Sequence, residues 1–95
     1  MSKYGIELSE VLGIKTPQSV ADGLMERLVK RRKKLGYSRK KLAELSHVKE
    51  PTIRYAETTG KIALLNLLKI AEVLDVLDEF DALLRIPVYR SIEEI

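Results

Sequence analysis

The chain has 95 residues, of which 45% are hydrophobic and 33% charged, with a formal net charge of +3. That length makes one domain with a single modest core, and the composition suits a soluble helical protein rather than a disordered one. With no cysteine, no run of about 18 apolar residues and no signal-peptide layout, the sequence argues against disulfide scaffolds, thiol catalysis, cysteine–zinc sites and membrane spans, and a reducing cytoplasm is the expected compartment.

Residues 1–15 read as a weakly determined N-terminal arm. Ile6, Leu8, Val11, Leu12 and Ile14 are apolar, but Gly5 and Gly13 interrupt them and neither a period of 2 nor of 3.6 emerges. Thr16-Pro17, a capping residue followed by proline, predicts the start of a first helix. Val20, Leu24, Leu28 and Leu35 form its expected inner stripe, and Gly36 is placed to end it in a left-handed cap. Gly23 inside it costs roughly 1 kcal/mol relative to alanine. From Arg27 to Lys41 there are nine basic residues and no acid. Those in the last turns, Lys30 to Lys34, favour the helix dipole and point all round the helix, so a few at most face one ligand while the rest set a long-range positive field.

Ser38 to Gly60 has the spacing of a helix-turn-helix. Ser38 caps a second helix running to about Leu45, with Leu42 and Leu45 apolar, and Ala43 stands where its neighbour must approach closely. Val48 follows the sharp turn. A third helix starts near Lys49-Glu50-Pro51 and ends near Thr58, with Ile53 and Ala56 on its inner face. Lys49, Glu50, Thr52, Arg54 and Tyr55 are left pointing outward, where a recognition helix presents side chains to the major groove.

Ile62 to Leu74 predicts a fourth helix with Leu64, Leu67, Leu68, Ala71 and Leu74 on a broad apolar face, although Ala63 is a poor cap. A short fifth helix is expected over Val76 to Leu84. Its Leu77, Phe80 and Leu84, with the leucine surplus of the fourth helix, suggest a dimer face; a merely generous core is the competing reading. From Glu72 onward seven acids stand against Arg85 and Arg90, so the basic and acidic ends differ in character. Ile86 to Arg90 is proline-broken and suits a single strand that needs a partner, and Ser91 with Glu94 reads as a capping box. The expected organisation is therefore an arm over 1–15, a DNA-binding domain over 16–84 and a tail over 85–95 for dimerisation or partner docking.

These elements, in this order, resemble the Cro/phage-repressor (XRE) class of helix-turn-helix regulators, and within it the HipB-type antitoxins. The segments that carry the resemblance are LAELSHVKEPTIRYAETTGKI, LLNLLKIAEVLDVLDEFDALL and, more weakly, PVYRSIEEI. The resemblance implies an all-α, five-helix lambda-repressor-like domain that dimerises on an operator palindrome in double-stranded DNA. Its antitoxin branch implies a HipA-like kinase toxin as partner and repression of the shared operon, with the protein on the nucleoid when DNA-bound. Carried over by position, Arg39 would contact the DNA backbone or a base, Lys49, Glu50, Pro51, Thr52 and Tyr55 would occupy reading positions, Arg54 would reach phosphate or a base edge, and Lys61 would reach phosphate. The chain departs from the family at His47, where glycine is usual and a left-handed conformation is wanted, and at Pro51, which offers a base only apolar contact.

Two roles are open for Glu50: accepting from a cytosine amino group, or complementing the dipole at a helix start. Tyr55 either meets a base edge or packs over a neighbouring turn. His47 is the only histidine, so no metal and no cofactor is expected, and no constellation has catalytic spacing, so an enzyme is not expected. Two other functions compete with a repressor: a protein-interaction module whose main task is toxin or kinase inhibition, and a stand-alone XRE regulator without a toxin.

Overall fold

Thr16 opens the first helix as its sequence predicts. Its hydroxyl accepts from the Ser19 N–H at 3.0 Å, and the Ser19 hydroxyl in turn accepts from the Thr16 N–H at 3.0 Å, a reciprocal box with Pro17 in the first turn. The computed structural model describes residues 13–87, and those form five helices and no strand. They are α1 (Pro17–Lys34), α2 (Arg39–Ser46), α3 (Glu50–Thr59), α4 (Leu64–Val73) and α5 (Leu77–Asp81). This is the all-α, lambda-repressor-like arrangement expected. Most of the arm, the end of the proposed strand over 86–90 and the Ser91 capping box lie outside the described residues, and Arg85 to Pro87 form no strand.

The end of α1 is a Schellman motif. Gly36 takes φ +81°, its N–H reaches the Lys33 carbonyl at 3.0 Å, and the Tyr37 N–H reaches the Arg32 carbonyl at 3.0 Å. The expected inner stripe needs correction. Val20 and Leu35 are exposed, and the inward line is Met25, Leu28 and Arg32, with Leu24 half-buried beside it. Hydrophobic periodicity passes over this line because one of its members is an arginine.

Ser38 caps α2 by accepting from the Lys41 N–H at 3.0 Å. The helix ends at His47, which adopts φ 62° and ψ 24° while its N–H bonds the Ala43 carbonyl at 2.9 Å. The turn thus accepts the left-handed backbone without a glycine, at a cost typical of a non-glycine residue there. Replacing His47 with glycine is expected to raise the unfolding free energy by a few tenths to about 1 kcal/mol, read as a higher denaturation midpoint. The buried Ser46 hydroxyl accepts from the Val48 N–H at 3.2 Å and holds the chain through the turn into α3.

Ile53 and Ala56 of α3 join Met25, Leu28, Leu42, Val48, Ile70, Ala71, Leu74 and Val76 in one core. Through it α3 packs on α1 and α2, α2 on α4, and α5 on α4. The N-terminus of α4 lacks a side-chain cap, as Ala63 implies. Its inner face keeps the expected Ala71 and Leu74, with Leu67 and Leu68 half-buried, and adds Ile70, while the expected Leu64 is 68% exposed. The fifth helix closes at Asp81 rather than Leu84, because the chain turns there and Leu84 takes φ 63° with its side chain 98% exposed.

Candidate nucleic-acid interface

Burial of Val48, Ile53 and Ala56 fixes which way α3 faces. Three- and four-residue spacing then turns the opposite side to solvent: Lys49, Pro51, Arg54 and Tyr55 are exposed, with Glu50 and Thr52 half-buried at the edge. Pro51 in the first turn removes only an amide that has no partner within the helix. The Glu50 carboxylate receives Arg54 Nη2 on both oxygens, one of them at 2.6 Å, so the two charges cancel locally on the outward face. That exposed pair is worth at most about 1 kcal/mol to stability and is open to exchange with another acid such as phosphate. Of the two roles left for Glu50, its seat at the first position of α3 satisfies the dipole one directly.

The far end of α3 is anchored as firmly as the near end. Gly60 caps it at φ +77°, and a Cβ there would stand 3.0 Å from Ala21 Cβ and 3.3 Å from Gln18 Nε2. Gln18 Nε2 donates to the Thr59 carbonyl at 2.9 Å, tying the start of α1 to the end of α3. Lys61 follows immediately, exposed, with its N–H on the Thr59 hydroxyl at 3.1 Å.

The basic run divides its labour more than its sequence implies. Arg32 is 6% exposed. Its Nε donates to Glu57 Oε2 at 2.8 Å, Nη2 to Glu57 Oε1 at 3.2 Å, and Nη1 to the Tyr37 carbonyl at 2.9 Å. Arg31 Nε donates to the Leu74 carbonyl at 2.6 Å, closing the end of α4 with a cation. Lys30 pairs with Glu26 at 3.4 Å and Lys41 with Glu44 at 3.7 Å, both on the surface. Arg39, the first residue of α2, is partly exposed but donates its Nε to Glu57 Oε1 at 2.7 Å. Two arginines of the run are therefore framework, and a third is tied to the same carboxylate.

The expected site residues gather in two groups. Lys49 at the N-cap and Glu50, Pro51, Thr52, Arg54 and Tyr55 in the first two turns of α3 form one group, whereas Arg39 and Lys61 stand at the start of α2 and just past the end of α3. Sequence reading misses Glu57 and Arg32. The available signals are an arginine in register with Met25 and Leu28, and an acid directly after the buried Ala56.

A helix, a tight left-handed turn and a second helix, packed through Leu42, Val48, Ile53 and Ala56 with a solvent-facing surface on the second, define a DNA-binding helix-turn-helix module. The family profile HTH_3, described as helix-turn-helix, matches residues 28–79, more than half of the chain. The chain belongs to this XRE-type helix-turn-helix family, a family of DNA-binding regulators. The comparison with curated proteins and the comparison with solved structures gave no match. No helix among the described residues is long and apolar enough to cross a membrane.

Proposed function

We propose that the chain is a sequence-specific transcriptional repressor that binds its operator as a homodimer, and that it is the antitoxin of a HipA-like toxin operon whose promoter it represses. The observation that carries the DNA-reading part is the outward face of α3, where Pro51, Arg54 and Tyr55, with Lys49 at the N-cap and half-buried Thr52 at the edge, stand on a helix buried on its other side. In this reading Thr52 and Tyr55 meet base edges, Pro51 offers apolar contact, and Arg39, Lys49, Arg54 and Lys61 neutralise phosphates, with Arg54 leaving Glu50 to do so. Dimerisation is supported by the apolar side chains exposed after α4, among them Leu77, Leu83, Leu84 and Ile86. The antitoxin role rests on the resemblance of the LAELSHVKEPTIRYAETTGKI and LLNLLKIAEVLDVLDEFDALL segments.

The same exposed apolar side chains favour one second reading, in which toxin inhibition is the main task and DNA binding is subordinate. Fluorescence anisotropy against the duplex upstream of its own gene and a scrambled duplex, at two salt concentrations, separates the two. Tight, salt-sensitive binding that prefers the upstream duplex supports the repressor. Weak and equal binding to both supports the interaction module. A neighbouring gene without kinase character would leave a stand-alone regulator.

Within the interface, Thr52→Ala and Tyr55→Ala are expected to relax preference at particular base pairs by about 1–3 kcal/mol each. Lys61→Ala is expected to weaken all sequences alike and to shallow the salt slope by about one phosphate. Competition binding with single-base operator variants checks both expectations; identical behaviour of the two sets would reverse the division into reading and positioning residues.

A further inference from the structure

Glu57 lies between two guanidinium groups whose situations differ. Arg32 is committed inside the domain: all three of its nitrogens donate, to the two Glu57 oxygens and to the Tyr37 carbonyl. Arg39 gives only its Nε to Glu57 among the described residues, at 2.7 Å, and its side chain is 44% exposed. Its Nη1 and Nη2 make no hydrogen bond among the described residues, on the first residue of the helix that precedes α3. The cluster holds two cations and one anion. Since Arg32 and Glu57 are both buried, the unbalanced positive charge meets solvent at the Arg39 fork, which is the geometry that takes an anion with two acceptor oxygens.

We propose that Glu57, itself fixed by the buried Arg32, is a positioning residue that holds Arg39 as a two-pronged ligand for a DNA backbone phosphate. The proposal rests on the DNA-binding reading above and adds the means by which α2 grips the backbone. An untethered surface arginine loses most of its rotamer freedom on binding, whereas one whose Nε is already bonded has lost it on folding. Glu57 sits on α3 and Arg39 on α2, so the tether also fixes the phosphate grip in register with the reading face. Because the ligand is backbone, the contribution is the same for every sequence.

The experiment uses the full chain and a short fluorescein-labelled duplex of scrambled sequence, titrated over a range of salt. Arg39→Lys keeps the charge but has one nitrogen, which cannot bond Glu57 and fork a phosphate together. It is expected to lose about tenfold in affinity at low salt. Arg39→Ala is expected to lose at least as much and to shallow the slope of log affinity against log salt by about 0.9. Glu57→Gln, assayed well below its melting temperature, is expected to lose affinity comparably and to cause no further loss in the Arg39→Lys background. If Glu57 served only to balance Arg32, its variant would melt earlier yet bind like the parent, or any loss it did cause would multiply with that of Arg39→Lys. That result, or an Arg39→Lys variant that binds like the parent, overturns the proposal. Should Glu57→Gln fail to fold, the two Arg39 variants decide alone. A parent chain with no salt-dependent affinity for duplex would instead remove the DNA-binding reading itself, an outcome distinct from a parent that binds and variants that match it.

Discussion

Glu57→Ala is expected to lower the unfolding free energy by about 3–5 kcal/mol, a large part of the ~5–15 kcal/mol available to a small domain. The Arg32 side chain beneath it is 7% exposed and receives its charge balance from this carboxylate. Removing the acid leaves a guanidinium out of water with only the Tyr37 carbonyl as partner. Urea denaturation followed by circular dichroism checks this as a lower midpoint at unchanged slope. A control separates the cost of an orphaned charge from the worth of the pair: Arg32→Met combined with Glu57→Leu is expected to come within about 1–2 kcal/mol of the parent, because apolar replacement removes both desolvated charges at once. If the single variant is as stable as the double one, the pair is not electrostatically coupled.

The second large effect is expected at Ile53. Its side chain is 1% exposed and ties α3 to the core. Ile53→Ala removes three carbons from that contact and leaves a cavity beneath the reading helix, at an expected cost of about 2–5 kcal/mol. Ile53→Val, which removes one carbon, is expected to cost about 0.5–1.5 kcal/mol. Thermal unfolding of both checks the graded loss. At temperatures where the valine variant stays folded its DNA affinity is expected to remain close to that of the parent, since no outward side chain has changed.

The parts of this fold that were legible in the sequence are those governed by local chemistry. Thr16, Ser38, Gly36 and Gly60 mark helix ends through hydrogen bonds and backbone conformations that depend on neighbours within a few positions, and the structure uses all four. The inner residues Ala43, Val48, Ile53 and Ala56 were legible because small and apolar side chains recur at helical spacing around a turn. What escaped was set by contacts distant in sequence. Arg32 and Glu57 are 25 positions apart, and neither looks internal until both are placed. Val20 looks internal by periodicity, yet it is exposed, because α1 turns Met25 and Leu28 into the core and Ala21 toward Gly60 instead. The fifth helix is shorter than its pattern for a similar reason: Leu83 and Leu84 carry helical character, but both are exposed and nothing in the described chain rewards another turn. Of the five residues expected to point outward, Lys49, Arg54 and Tyr55 are exposed, Glu50 and Thr52 are only half-exposed, and the pairing of Glu50 with Arg54 is not legible in the sequence.

The tight seat of Gly60 against Ala21, together with the Gln18 bond to the Thr59 carbonyl, bears on the thermodynamics of recognition. A reading helix fastened at its far end by α1 and at its near end by Val48 has little left to order when a duplex arrives. The heat-capacity change of complex formation then reports the surface brought together and not the folding of a segment. Under the proposed operator-reading function, a mismatched base would meet a helix braced at both ends, and the cost would fall on the DNA, which must bend or be refused.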